Sequence, residues 1–207
     1  MTYVFLHGLG QLSSSWDEVT AHLPSDIQIC CPHLTAIIKN QKVTYETLYS
    51  AFENKCSLME KPLNLCGLSL GAVLALQYAI NNPQMVKSLI LIAPQYKMPK
   101  LLLTIQNIVF RILPQNAFQE TGFSKREVIA LTNSMKSIDF TPALKGITCP
   151  SFIICGQKDK ANQKAAKLLV ANIPNAKFFL IENAGHEVNI DAPVKLANLV
   201  KEFWFHK

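Results

Sequence analysis

Leu65-Cys66-Gly67-Leu68-Ser69-Leu70-Gly71 decides how the rest of this chain is read. The apolar run Leu63 to Cys66 reads as a buried strand, and a helical pattern starts at once from Ala72. Between them a serine stands flanked by glycines two positions either side, a G-x-S-x-G in strand–turn–helix context. Such a turn is so tight that side chains at the glycine positions would meet backbone, and glycine removes that collision. The turn lifts the serine hydroxyl above the strand end. The competing reading is a small-residue turn in which Ser69 only caps the helix. The pentapeptide does not choose between the two, so the flanking chain must.

Upstream, Thr2 to Leu6 reads as a strand, followed by the glycine-bearing turn His7-Gly8-Leu9-Gly10. Trp16, Val19 and Leu23 mark a helical face after Ser13-Ser14-Ser15, and Ile27 to Cys31 reads as a second strand. Residues 33–43 read as irregular. Thr44 opens a helix with Leu48, Ala51, Phe52 and Cys56 inward. Downstream of Ser69, a helix to Asn81 leads to a strand over Val86 to Ala93. The alternation then breaks. Residues 94–148 show no strand pattern, but two oily helices, Pro99 to Leu113 and Ser124 to Met135. It resumes with strands Ser151 to Cys155 and Lys177 to Ile181 and helices Ala161 to Asn172 and Pro193 to Phe205. Near-continuous apolar strands alternating with helices predict a parallel sheet covered on both faces.

Open parallel sheets carry their sites beyond the C-terminal ends of strands. Ser69 follows one strand, Asp159 another (Gly156-Gln157-Lys158-Asp159), and His186 a third (Glu182-Asn183-Ala184-Gly185-His186). A serine hydroxyl needs a base to take its proton, and an imidazole is suited to that near neutral pH. An aspartate fixes the imidazole tautomer and stabilises the imidazolium. The tetrahedral oxyanion needs fixed donors, for which the backbone N–H groups of Leu70 and Leu9 are the candidates.

His7-Gly8-Leu9-Gly10 with Trp16, Gly67-Leu68-Ser69-Leu70-Gly71, Gly156-x-x-Asp159 and Asn183-Ala184-Gly185-His186 together resemble the α/β-hydrolase superfamily, and they span nearly the whole chain. The resemblance implies an α/β fold with a catalytic triad of Ser69, Asp159 and His186 and an oxyanion hole from Leu9 and Leu70. It implies a single domain with core 1–93 and 149–207 and a small helical lid over about 94–148. Two departures stand out. The chain opens directly on the strand before His7, without the hairpin usual in the family, so a mostly parallel sheet of about six strands is expected. Pro32-His33-Leu34-Thr35-Ala36 replaces a glycine-rich loop that many members carry.

Composition narrows the function. The formal charge is +6, but the lysines are dispersed, only Arg111 and Arg126 are arginines, and no nucleic-acid motif is present. No apolar run reaches a membrane span and no signal sequence is read, so a cytoplasmic protein without stable membrane association is expected. The six cysteines lack metal-ligand spacing and read as reduced thiols; no metal or cofactor is expected. His7, His22, His33 and His206 read as structural or surface residues, and Asp139, Asp191 and Glu187 as rivals or neighbours to the triad. The helix Pro99 to Leu113 is apolar around much of its circumference, so Leu102 and Ile105 are nominated to line an apolar pocket. Arg111 and Arg126 are nominated as anchors for a substrate carboxylate. The expected function is cleavage of a small apolar ester or thioester through an acyl-enzyme, as a monomer or homodimer acting on a small molecule. The alternatives are a C–C hydrolase or lyase acting on a carboxylate substrate, and a non-enzymatic ligand binder.

Overall fold

A computed structural model describes residues 1–38, 41–116, 118 and 122–205; at 101, 102, 105 and 106 it describes backbone only. Six strands form one sheet: β1 (Thr2–Leu6), β2 (Gln28–Cys30), β3 (Leu63–Leu68), β4 (Val86–Ile92), β5 (Ser151–Gly156) and β6 (Ala176–Ile181). Every pairing is parallel, in the order β2-β1-β3-β4-β5-β6. The apolar runs explain the layering. β1, β3 and β5 are buried along their whole length, whereas the edge strands β2 and β6 are part-exposed.

Helices cover both faces. On one lie α3 (Tyr45–Ser57) and α4 (Leu70–Asn81), with Leu48, Phe52 and Leu74 against Val4, Leu65 and Leu89. On the other lie α1 (Asp17–Ala21) and α9 (Pro193–Phe205), where Trp16 and Trp204 pack on Phe5 and Phe203 stacks on Phe152. α7 (Lys160–Asn172) follows β5 and packs against β5 and β6. The helix that follows Ser69 is buried nearly all round, which accounts for its lack of a polar face.

The strand ends are in step: Leu6 pairs with Gly67, Leu68 with Ile92 and Gly156 with Ile181. The turns leaving β1, β3, β5 and β6 therefore emerge on one edge. The chain runs outward from β1 to β2 and then returns to β3 on the other side of β1. That reversal opens a crevice between the turns after β1 and β3.

Residues 94–148 hold α5 (Lys100–Ile112) and α6 (Lys125–Ser134), and among the described residues their one strand-like contact is the bridge between Lys97 and Asp139. The Asn107 amide donates to Asn133 at 2.8 Å and accepts from Thr132, joining the two helices. Ser124 and Glu127 form a capping box at the start of α6. Lys125 donates to the carbonyls of Arg111 and Leu113 at the end of α5.

Two short helices depart from the sequence reading. α2 (Leu34–Ile37) lies within the stretch expected to be irregular, because the buried His7 ring accepts from the Leu34 N–H at its start. α8 (Val188–Asp191) follows His186 directly. The six cysteines are free thiols. Among the described residues no helix is long and apolar enough to cross a membrane, and no three metal-ligating side chains gather.

Candidate active site

Ser69 sits at φ 54°, ψ −112°, a conformation non-glycine residues rarely hold. Its N–H donates to Ile92 on the neighbouring strand at 2.9 Å, and its carbonyl accepts from Val73 at 3.1 Å to start α4. A Cβ at Gly67 would strike the Gly71 carbonyl, and one at Gly71 the Leu6 carbonyl, so both positions must be glycine. Ser69 occupies the N-cap position, yet its side chain makes no capping hydrogen bond. The capping role does not account for this serine, whose hydroxyl is left to the cavity in front of it.

Asp159 follows β5 and is 8 % exposed. Its carboxylate accepts from His186 Nδ1 at 2.8 Å and from the Asn162 amide, which lies 2.9 Å from each oxygen. Burial pushes this carboxyl upward, but the bonds from His186 and Asn162 outweigh it and hold the group below its ordinary value. With Nδ1–H given to Asp159, the neutral imidazole keeps Nε2 as a free base. The His186 side chain is 43 % exposed. No hydrogen bond joins Ser69 to His186, although both line the same cavity; such bonds are often long until substrate is bound.

The loop carrying His186 is pinned from beneath. The Lys158 N–H donates to Ala184, the Gly185 N–H donates to Asp191 Oδ2 at 2.6 Å, and Gly156 packs so closely on Gly185 that a Cβ there would strike its carbonyl. Asp191, a rival acid in sequence, thus holds the backbone next to His186 rather than its ring. Asp139 pairs with Lys97 at 2.7 Å and accepts from Thr141; these bonds lower its carboxyl to about 2.

Leu9 and Leu70 line the cavity next to Ser69. The Leu70 N–H is in the first turn of α4, where helix geometry supplies no partner. The Leu9 N–H makes no backbone bond among the described residues. The turn bearing Leu9 rests on Ser69, since a Cβ on Gly8 would lie 3.6 Å from Ser69 Cβ. Beneath it, Gln11 accepts from the Gly8 N–H at 3.2 Å and donates to Glu187 and to the buried Asn189, which in turn donates to the Ser15 carbonyl. Gln11 and Asn189 therefore tie the β1 turn to the histidine loop. His7 is buried beneath this turn, donating from Nδ1 to Gly8 and accepting at Nε2 from Leu34, so its part is structural. His33 bonds Thr35 and stands edge-on to His7, and His22 is exposed. His206 lies outside the described residues.

The cavity measures about 510 Å³. Its walls are Val73 from α4, Leu103 and Phe110 from α5, Val128 and Met135 from α6 and its end, and Met98 between. Leu102 and Ile105 were nominated for this wall; their side chains lie outside the described residues. Arg111 and Arg126 are both exposed, and neither is among the described residues that line the cavity. The surplus apolar surface of α5 is likewise divided. Leu103 and Phe110 face the cavity, while Ile108, Val109 and Ile112 face outward, Ile112 at 78 % exposure. Among the described lining residues none is Lys, Arg, Asp or Glu.

Four polar residues went unnoticed in the sequence: Gln11, Gln95, Asn162 and Asn189. Asn162 alone carried a signal, standing three residues after Asp159 at the start of a helical pattern. The others meet the site only through the sheet topology.

Comparison with known proteins bears on the family and the fold. A model of the alpha/beta hydrolase family matches residues 3–199. Monoacylglycerol lipase ABHD6 of Homo sapiens is 22% identical over a 250-residue alignment covering 97% of this chain and 74% of that protein. The structure of MenH from S. aureus superposes with a TM-score of 0.80 at 18% identity, covering 98% of this chain and 92% of that one. A thermophilic esterase from Thermogutta terrifontis gives a TM-score of 0.77 at 18% identity, with 98% and 89% covered. With its six-stranded parallel sheet, strand–Ser–helix turn and match along nearly its whole length, the chain belongs to the alpha/beta hydrolase family.

Proposed function

We propose that this protein is a serine hydrolase that cleaves a neutral, largely apolar carboxylic ester or thioester, with Ser69, His186 and Asp159 as its triad. The observation that carries the reading is the shared cavity: a strained, uncapped serine and an aspartate-bound histidine line one apolar chamber. Its volume is in the ~300–1,000 Å³ range of small-molecule sites. Family membership and the lipase and esterase relatives support hydrolase chemistry.

In this reading Ser69 Oγ attacks the carbonyl carbon while His186 Nε2 takes its proton. The oxyanion is held by the N–H groups of Leu9 and Leu70. His186 then protonates the leaving oxygen or sulfur as its bond to carbon breaks, leaving an acyl group on Ser69. Water, deprotonated by His186, releases the acid and restores the serine. The 94–148 segment acts as the lid whose inner wall sets acyl preference. The alternative with a carboxylate-bearing substrate loses the two cations nominated to hold it, since Arg111 and Arg126 stand on the outside.

The test is a p-nitrophenyl ester series from acetate to octanoate, with matched thioesters, on wild type and Ser69→Ala. Turnover that rises beyond acetate and is lost in Ser69→Ala is expected. Activity falling steadily from acetate to octanoate contradicts the apolar acyl site.

A further inference from the structure

The strongest unassigned feature is a chain of amides behind the acid. The Gln95 amide donates from Nε2 to Asn162 Oδ1 at 2.7 Å. Asn162 Nδ2 lies 2.9 Å from both oxygens of Asp159 and 3.2 Å from His186 Nδ1. Chemistry fixes every orientation in this chain. A carboxylate only accepts, so Asn162 must present its NH₂ to Asp159. Its oxygen then faces away and needs a donor, which Gln95 supplies from the turn after β4. His186 gives its own Nδ1 proton to Asp159. The approach of the Asn162 nitrogen to that ring nitrogen is therefore donor against donor, a contact and not a bond.

We propose that Asn162, oriented by Gln95, is a positioning residue for the catalytic acid: it locks the Asp159 carboxylate in the plane of the imidazole and limits how strongly that carboxylate stabilises the imidazolium. The proposal rests on the serine-hydrolase reading of the site. Two effects act in the same direction. A donor lodged between both carboxylate oxygens draws off charge that His186 would otherwise feel, and the positive end of the amide dipole faces the ring. A base held too firmly as imidazolium is unavailable to Ser69 at neutral pH. Asn162 thus fixes the geometry that Asp159 must hold.

Other ionisable groups near the pair are few. The buried Cys155 lies behind Asp159 on β5. Lys158 and Lys160 flank Asp159 in sequence and are exposed. Glu187 bonds Gln11, and Asp191 bonds the Gly185 backbone. None of these hydrogen-bonds or ion-pairs with the His186 ring among the described residues.

Asn162→Leu keeps the volume and removes the donor; Gln95→Leu leaves Asn162 in place and frees its amide to turn. Two readouts are needed: the pH profile of kcat/KM on a p-nitrophenyl ester, and the NMR titration of the His186 ring protons. In Asn162→Leu, the acid limb and the NMR midpoint should both move to higher pH by about half to one unit relative to wild type. Gln95→Leu should move them the same way by less. A folded Asn162→Leu whose profile and midpoint superimpose on wild type overturns the proposal, whatever its loss of rate. Should Asn162→Leu not fold, an unmoved midpoint in Gln95→Leu does so. The titration needs no turnover, so absence of esterase activity in wild type would refute the hydrolase reading while the midpoints still decide the role of Asn162.

Discussion

At the scale of single residues, His186 and His7 behave oppositely. His186 gives one ring nitrogen to Asp159 and keeps the other toward the cavity. His7 has both ring nitrogens engaged and is fully buried. Burial, its largest influence, pushes the His7 imidazole below the ordinary histidine value; the Gly8 hydrogen bond opposes this and His33 adds to it. The sign follows by linkage. Above about pH 6.5 both states hold His7 neutral and it contributes nothing to the pH slope. As pH falls below that value the unfolded chain takes up a proton that the folded chain refuses, so stability declines by up to ~1.4 kcal/mol per pH unit. Urea denaturation at pH 7.5 and 5.5 should show this loss in wild type and a smaller one in His7→Gln. Asp159 leaves that window undisturbed: its lowered folded value adds stability that is full above about pH 4 and is lost only as pH falls further. The hydroxyl of Ser69 is the one group that nothing replaces, and Ser69→Ala should lower kcat by ~10⁴-fold or more with its melting curve little changed.

At the scale of elements, the turn from β3 into α4 is a packing solution before it is a chemical one. Gly71 lets α4 begin directly against β1, and a methyl there meets the Leu6 backbone, which has no room to move inside a buried sheet. Gly71→Ala should therefore destabilise by ~3 kcal/mol or more, measurable as a lower urea midpoint. This much was legible from the spacing of two glycines around a serine. The helix α5 was legible only in part. Its oily circumference announced more than one job, but which face met the cavity depended on where α6 and the sheet edge stand, and neither is a local property. Leu103 proves to be a wall residue, so Leu103→Trp should cut kcat/KM for octanoate at least ~10-fold while sparing acetate, read from the same ester series. Arg111 and Arg126 are exposed where the sequence alone suggested anchors. Being the only arginines and both in the insertion made them look selected, yet each lies on an outward face. Arg111→Ala and Arg126→Ala should each leave kcat/KM on neutral esters within about twofold of wild type.

At the scale of the molecule, the strand order does what no motif announces. The reversal between β1 and β3 brings the turns bearing Leu9 and Ser69 side by side, although 60 positions part them in sequence. β5 and β6, paired in register, bring Asp159 and His186 within 2.8 Å. The alternation of apolar strands with helices made the parallel sheet legible, and the placement of Ser, Asp and His after strands made their convergence expected. Of the supporting amides, Asn162 was legible only through its spacing from Asp159, while Gln11, Gln95 and Asn189 were not, because they are ordinary polar residues until the sheet assembles and buries or orients them.

The central claim is that Ser69 is a nucleophile that carries an acyl group. Its most direct test is reaction of the folded protein with a fluorophosphonate probe, followed by intact mass and peptide mapping. The account predicts one adduct per chain, on Ser69, absent from Ser69→Ala and greatly slowed in His186→Ala. A folded wild-type protein that takes up no probe, or takes it up at a residue other than Ser69, would contradict it.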